Sequence, residues 1–190
     1  MMVIKNKRRH IIETAMMLFV NNGFHSTPTS LIAKKAHVSV GTLFNHFKTK
    51  ANLIEQIYID IKVHLRDTFL ELLDEHDNQH DQLQSMYRAI VLWGYQNPKE
   101  FYYLELFDHS PFKNIYKTNA SLIMNKQFKS EIFNAISPNS ICHEFPDYSL
   151  IFIDRSIHAA TRFLLEEEID DINHFINDSF DLFWNGFKRK

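Results

Sequence analysis

The stretch Val38-Ser39-Val40-Gly41-Thr42-Leu43-Phe44-Asn45-His46-Phe47-Lys48-Thr49-Lys50 decides how this chain is read. Ser39 can cap a short helix running from Val40 to Phe47. A helix of that length is marginal alone and needs tertiary packing. Just before it, Thr29 precedes Ser30-Leu31-Ile32-Ala33-Lys34-Lys35-Ala36, a helix of about two turns with Thr29 placed as N-cap. His37-Val38-Ser39 is then a three-residue turn. Ile32, Ala33, Ala36, Val38, Leu43 and Phe47 are the apolar positions that can pack the two helices together. The product is a helix-turn-helix, whose second helix can lie in the major groove of DNA.

The outward residues of the second helix suit that task. Gly41 has no side chain, so the backbone can come close to a phosphate. Thr42, Asn45 and His46 can donate or accept at base edges or phosphates, and Val40 can touch a thymine methyl. Lys48 and Lys50 follow, where they can pair with phosphate. Each feature has a plainer explanation: Gly41 as a tight packing site, Asn45 as a solvated polar residue. Charge weighs against the plainer set. Residues 1–50 carry eight Lys or Arg against Glu13 alone, a formal +7, whereas residues 51–190 sum to −9. A basic front on an acidic body points to an anionic partner for the front only.

Working outward, the periodicity is helical throughout. Only 4 Gly and 5 Pro punctuate 190 residues, and no stretch alternates as a strand. Ile12, Ala15, Met16, Phe19 and Val20 form one apolar face that Gly23 ends. Ile54, Ile57, Tyr58, Ile61, Leu65, Phe69 and Leu72 predict a long helix from Lys50, ended by the polar segment 74–81. Leu83, Met86, Tyr87, Ile90 and Val91 mark another, broken at Asn97-Pro98, and a further helix starts at Pro98. Pro111 interrupts. A helix through Ile115 to Ile136, a loop over 137–147, a stripe of Ile153, Ile157, Ala160 and Leu164, and a last helix carrying Ile172 to Phe187 complete the chain.

Residues 8–53 resemble the tetracycline-repressor (TetR) family. The resemblance rests on Arg9, Ile12, Ala15, Leu18-Phe19, Gly23-Phe24, Thr27, Thr29, Ile32-Ala33, Val38-Ser39, Gly41 to Phe44, His46-Phe47, Lys50 and Leu53. It implies an all-α homodimer, usually a repressor, with a three-helix head over residues 1–50 that binds double-stranded operator DNA. Residues 51–190 would form a helical domain that binds a small effector and dimerises. By matching position, Thr29 would cap its helix against phosphate. Val40, Gly41, Thr42 and Asn45 would face the groove, and His46 and Lys50 would hold the backbone. The family commonly has tyrosine where this chain has Phe44, so that ring keeps only its packing on sugar or a thymine methyl.

The remainder is rich in rings: residues 51–190 hold 13 Phe, 7 Tyr and 2 Trp. Tyr87, Trp93, Tyr103, Phe107 and Phe128, with His109 and His158 to orient a ligand, are candidates to line a pocket for an apolar or aromatic effector. Bundle core is the competing reading of the same rings. Ile157, Phe175, Ile176, Phe180, Phe183 and Trp184 make a face too wide for one neighbour, which predicts a dimer interface. His76 and His80 have chelating spacing in a turn-prone acidic segment, but no metal site and no cofactor is expected. No Gly-rich phosphate loop, nucleophile elbow or metal-ligand set suggests an enzyme. A protein-binding helical adaptor is the remaining rival. The lone Cys142 argues against disulfides. No secretory leader or membrane span is read, so a cytoplasmic location is expected.

Overall fold

A computed structural model describes residues 2–72, 79–115 and 146–187, and among them there are helices, turns and no strand. The helices are α1 (Met2–Asn22), α2 (Thr29–Lys35), α3 (Val40–His46), α4 (Lys50–Leu72), α5 (Gln79–Gln96), α6 (Pro98–Asp108), α7 (Phe112–Ile115), α8 (Pro146–Glu166) and α9 (Ile172–Phe187). The fold is all-α, with a helix-turn-helix head. The expected helix over 115–136 lies outside the described residues apart from its first position. Of the loop expected at 137–147, Pro146 and Asp147 instead open α8, Pro146 taking a first-turn position where its missing N–H costs nothing.

By packing, the chain divides into two units, Met1–Val63 with Lys99–Met124 and His64–Pro98 with Asn125–Lys190. The boundary at residue 50 expected from sequence falls inside the first of these units.

In the first unit, α1 buries Ile11, Ala15 and Phe19. Ile12, Met16 and Val20 are only partly covered, so the apolar face is turned by one position from the expected one. Gly23 ends α1 at φ +79°, with its N–H on the Phe19 carbonyl at 2.8 Å. Thr27 is fully buried, its hydroxyl donating to the carbonyls of Gly23 (2.9 Å) and Leu18 (3.2 Å).

The helix-turn-helix closes through backbone and cap bonds. Pro28, not Thr29, is the N-cap of α2. No side chain caps this end, and the Pro28 carbonyl accepts from the N–H groups of Leu31 and Ile32. Thr29 is therefore already helical. At the other end of α2, Val38 N–H donates to the Ala33 carbonyl (3.0 Å) and His37 N–H to the Lys34 carbonyl (3.3 Å). This is a Schellman stop, and it needs a left-handed residue, here His37 at φ +52° rather than glycine. Ser39 caps α3 as expected, its Oγ accepting from the Thr42 N–H at 3.0 Å. Leu43 and Phe47 are then buried together with Ile32, Ala33 and Ala36.

α4 starts on a Thr49 cap, whose hydroxyl accepts from Asn52 N–H at 3.0 Å, and buries Leu53, Ile54, Ile57, Tyr58 and Ile61 in this unit. α6 belongs to the same packing. Tyr103 lies edge-on to Phe24 at 5.6 Å and donates its hydroxyl to the Ile54 carbonyl at 2.8 Å, while Phe107 stacks on Tyr58 at 4.2 Å.

The second unit has its own core of Phe69, Leu83, Met86, Tyr87, Val91, Ile153, Ile157, Ala160, Leu164, Ile176, Phe180 and Phe183. α9 is capped by Asp171, whose carboxylate accepts from His174 N–H at 2.9 Å. The pairs Phe152–Phe183 and Phe163–Phe175 show that α8 and α9 run antiparallel. His80–Trp184 and Arg88–Asn173 show the same for α5 and α9, so α5 and α8 run in the same direction.

Candidate nucleic-acid interface

The buried pair Leu43 and Phe47 fixes which side of α3 faces away from the protein. Gly41 and Asn45 lie furthest from that pair, and both are exposed. Val40 and Phe44 occupy one flank, 42% and 41% exposed despite being large and apolar. Thr42 and His46 occupy the other flank and are partly covered. Thr42 is less free than its residue type suggests, because its hydroxyl lies 2.8 Å from the capping Ser39 hydroxyl.

Nothing in the fold requires glycine at position 41. A methyl group added there would meet only Ser39 Oγ, at an ordinary 3.8 Å, and the backbone is not left-handed. The tight-packing explanation for Gly41 is therefore removed.

The cations around α3 divide into outward and inward groups. Lys7, Lys34, Lys35 and Lys48 are exposed. Arg8 is drawn across the head instead, with its guanidinium 5.5 Å over the Phe47 ring and donating to Gln56 Oε1 at 3.2 Å. Sequence reading did not single out Arg8, and its place in a run of basic residues hides this role.

Lys50 departs most from expectation. Its ammonium donates to the Phe24 carbonyl and lies 5.9 Å over the Phe19 ring. Burial pushes its pKa down from the ordinary lysine value. The side chain thus ties the start of α4 to the bend after α1, rather than reaching outward. Lys50→Met is accordingly expected to lower stability by about 1 kcal/mol, the scale of one hydrogen bond. It should leave the salt dependence of duplex binding unchanged. Loss of a phosphate contact would instead flatten the log–log salt slope by about 0.9 per charge, so titrations at several salt concentrations separate the two roles.

The remaining candidates are dispersed. Tyr103 and Phe107 are core residues of the first unit, and Tyr87, Trp93 and His158 belong to the second. His109 is exposed with its Nδ1 2.8 Å from the Glu105 carbonyl, and Phe128 lies outside the described residues. Tyr87 is 1% exposed, with its hydroxyl 3.4 Å from Ser156. Two buried polar atoms, Trp93 Nε1 and Thr161 Oγ1, have no hydrogen-bond partner among the described residues. Counting on from the Tyr87–Ser156 contact along two helices of like direction puts Trp93 and Thr161 at about the same level.

Of the expected dimer residues, Ile157, Ile176, Phe180 and Phe183 are buried within the protomer's own core, and Phe175 and Trp184 pack at its edge. Tyr148, Ile151, Phe152, Phe163 and Leu182 are the large apolar side chains that α8 and α9 leave outward. His80 sits beside Asp81 Oδ1 at 2.9 Å, edge-on to Phe180 and Trp184, while His76 lies outside the described residues. Among the described residues no group of three His, Cys, Asp or Glu is placed to hold a metal, and no helix is long and apolar enough to cross a membrane.

Residues 11–57 match the model of the bacterial regulatory proteins of the tetR family. That segment contains the whole helix-turn-helix and the start of α4. Over these residues, about a quarter of the chain, the protein is similar to the TetR family. Among TetR-family relatives it is similar to the HTH-type transcriptional regulator QacR of Staphylococcus aureus, 42% identical over 52 residues. That match covers 27% of this chain and 28% of QacR. Similarity to the regulator YvkB of Bacillus subtilis is 46% over 52 residues, covering 27% and 26% of the two chains. The chain thus spans about a quarter of these relatives' lengths. The whole chain is similar in structure to a TetR-family transcription regulator from Shewanella sp. PV-4, with a TM-score of 0.78 and 26% identity over 97% of this chain and 99% of that one.

Proposed function

We propose that the protein is a sequence-specific, DNA-binding transcriptional regulator of the TetR type, acting as a homodimer on a pseudo-palindromic operator. The observation that carries this reading is the outer side of α3. Gly41 and Asn45 lie outermost, on a helix whose own packing makes no demand for glycine. Such a site suits a helix that must seat close against a surface outside the protein. The formal charge of +7 on residues 1–50 supports a polyanion as that surface. Thr29, Val40, Thr42, Phe44, Asn45, His46 and Lys48 are proposed to meet the duplex with Gly41, and Lys50 to hold the head in shape.

Residues 51–190 are proposed to carry effector binding and dimerisation. The dimer contact is assigned to the outward side of α8 and α9, with Phe163 and Leu182 at its centre. Phe175 and Trp184 lie at its edge. Trp93 Nε1 and Thr161 Oγ1 support a ligand in the second unit. A buried donor without a partner costs about 1–3 kcal/mol, which an acceptor on a bound molecule would offset. A similar fold, the regulator FadR from Bacillus subtilis at 17% identity, was solved in complex with stearoyl-CoA. The effector here is proposed to be largely apolar and to release the protein from its operator, making it a repressor. DNA and effector would then weaken each other's binding by one common factor. A purely protein-binding adaptor has no use for an open Gly41 on a cationic head.

The test is selection of duplexes from a random pool by the purified full-length protein. The expected result is an inverted repeat with half-sites about one duplex turn apart, 34–36 Å, and affinity that falls steeply with salt. Recovery of no preferred duplex removes the proposal.

A further inference from the structure

We infer that Arg8 is a positioning residue of the head, holding α3 against α1 and α4 rather than pairing with phosphate. This rests on the DNA-binding reading above and adds what keeps α3 in its reading orientation. Arg8 sits in the basic run Lys7-Arg8-Arg9, where charge alone would send all three side chains to a polyanion. Helical spacing separates them. Arg8 stands one turn before Ile11 and two turns before Ala15, so it continues the buried face of α1 towards the N-terminus. Lys7 is exposed, and Arg9, also outward, is paired with Glu13 at 2.8 Å.

The guanidinium uses its flat face and both ends of its fork. Its central carbon lies 5.5 Å from the centre of the ring of Phe47, the residue that ends α3. One terminal nitrogen donates to Gln56 Oε1 at 3.2 Å, and the other lies 3.5 Å from Asp60 Oδ2, one turn further along α4. A single side chain of α1 is thereby joined to the end of α3 and to two successive turns of α4. Phe47, with Leu43, sets which side of α3 turns outward, so a contact that fixes this ring fixes the roll of the helix. The half-exposed pair with Asp60 is weak by itself, and the ring contact and the Gln56 bond carry the geometry. An ammonium supplies the same charge but has no flat face and no fork. Without the clamp, α3 would hold its reading orientation for only part of the time, and apparent affinity falls with that fraction.

The test is Arg8→Lys, which keeps the charge and removes the fork, with Arg8→Ala beside it. Binding by the full-length protein is measured at several salt concentrations, on a pool-selected duplex and on a random one. The temperature is one at which circular dichroism shows each variant folded. Arg8→Lys is expected to weaken binding to the selected duplex roughly three- to tenfold, the range open to one ring contact and one charge-assisted hydrogen bond. Its binding to the random duplex, which depends on charge rather than orientation, should match the parent's. Arg8→Ala should lose a similar factor on the selected duplex and keep a salt slope close to the parent's. Full rescue by lysine, or a slope flattened by about 0.9 in Arg8→Ala, would assign Arg8 to phosphate and overturn the inference while DNA binding stands. An equal loss on both duplexes, or no loss in either variant, also overturns it. If the parent selects no duplex at all, the DNA-binding reading itself fails and takes this inference with it.

Discussion

Alanine in place of Gly41 is expected to leave the head folded and to cut duplex affinity at least tenfold. The methyl group would lie 3.8 Å from Ser39 Oγ and touch nothing else in the protein. Alanine is better than glycine in a helix interior by up to about 1 kcal/mol, so the thermal midpoint should stay level or rise. In the complex the same methyl sits on the outermost side of α3, beside Asn45, where it would hold the helix off the duplex. A tenfold loss corresponds to about 1.4 kcal/mol, within the roughly 1–3 kcal/mol that a well-made base contact contributes. Thermal melting and fluorescence anisotropy on one preparation give both halves of the result. A stabilised variant that binds as tightly as the parent would show that α3 does not seat closely, and would remove the reason given for glycine.

The second large effect lies in the other unit. Phe180→Ala should lower the unfolding free energy by about 3–5 kcal/mol in urea titration. Phe180 is fully buried, and its ring meets Tyr87 at 5.6 Å, His80 at 5.3 Å and Phe183 at 6.0 Å. Few of these neighbours can close the gap, because α5, α8 and α9 all bound it. Leu182, two residues on, is 80% exposed. Leu182→Ala should leave the protomer's own stability within about 0.5 kcal/mol of the parent, the range for exposed positions. Its effect should be seen instead in the protein concentration at which dimers dissociate. Equal losses at the two positions would mean that burial in the single protomer is a poor guide to which face meets the second copy.

The head was largely legible because its signals are local. Ser39 needs only the N–H three residues ahead to act as a cap. Leu43 and Phe47 share a face by spacing alone. Side-chain preference points to Thr29 as the α2 cap, but the backbone carbonyl of Pro28 serves there, and such preferences do not register a carbonyl. Periodicity alone does not separate Ile12 from Ile11 on the α1 face, since both are isoleucine and tertiary neighbours choose between them. Lys50 gives no inward signal because a long flexible stem has no direction in sequence; the Phe24 carbonyl and the Phe19 ring that hold it come from α1 and the bend after it. The breadth of the apolar face on α9 was visible, but not its coverage. Phe180 and Phe183 read the same whether covered by α5 and α8 or by a second molecule.

The two tryptophans, Trp93 on α5 and Trp184 on α9, both fall in the unit formed by His64–Pro98 and Asn125–Lys190. Helices α1 to α3 carry none. Indole emission is therefore a built-in optical label for one half of the molecule, blind to melting of the other. Far-ultraviolet circular dichroism counts helix in both halves. Recording the two signals side by side during denaturation would tell, without any introduced dye, whether the reading head comes apart before the scaffold that carries it.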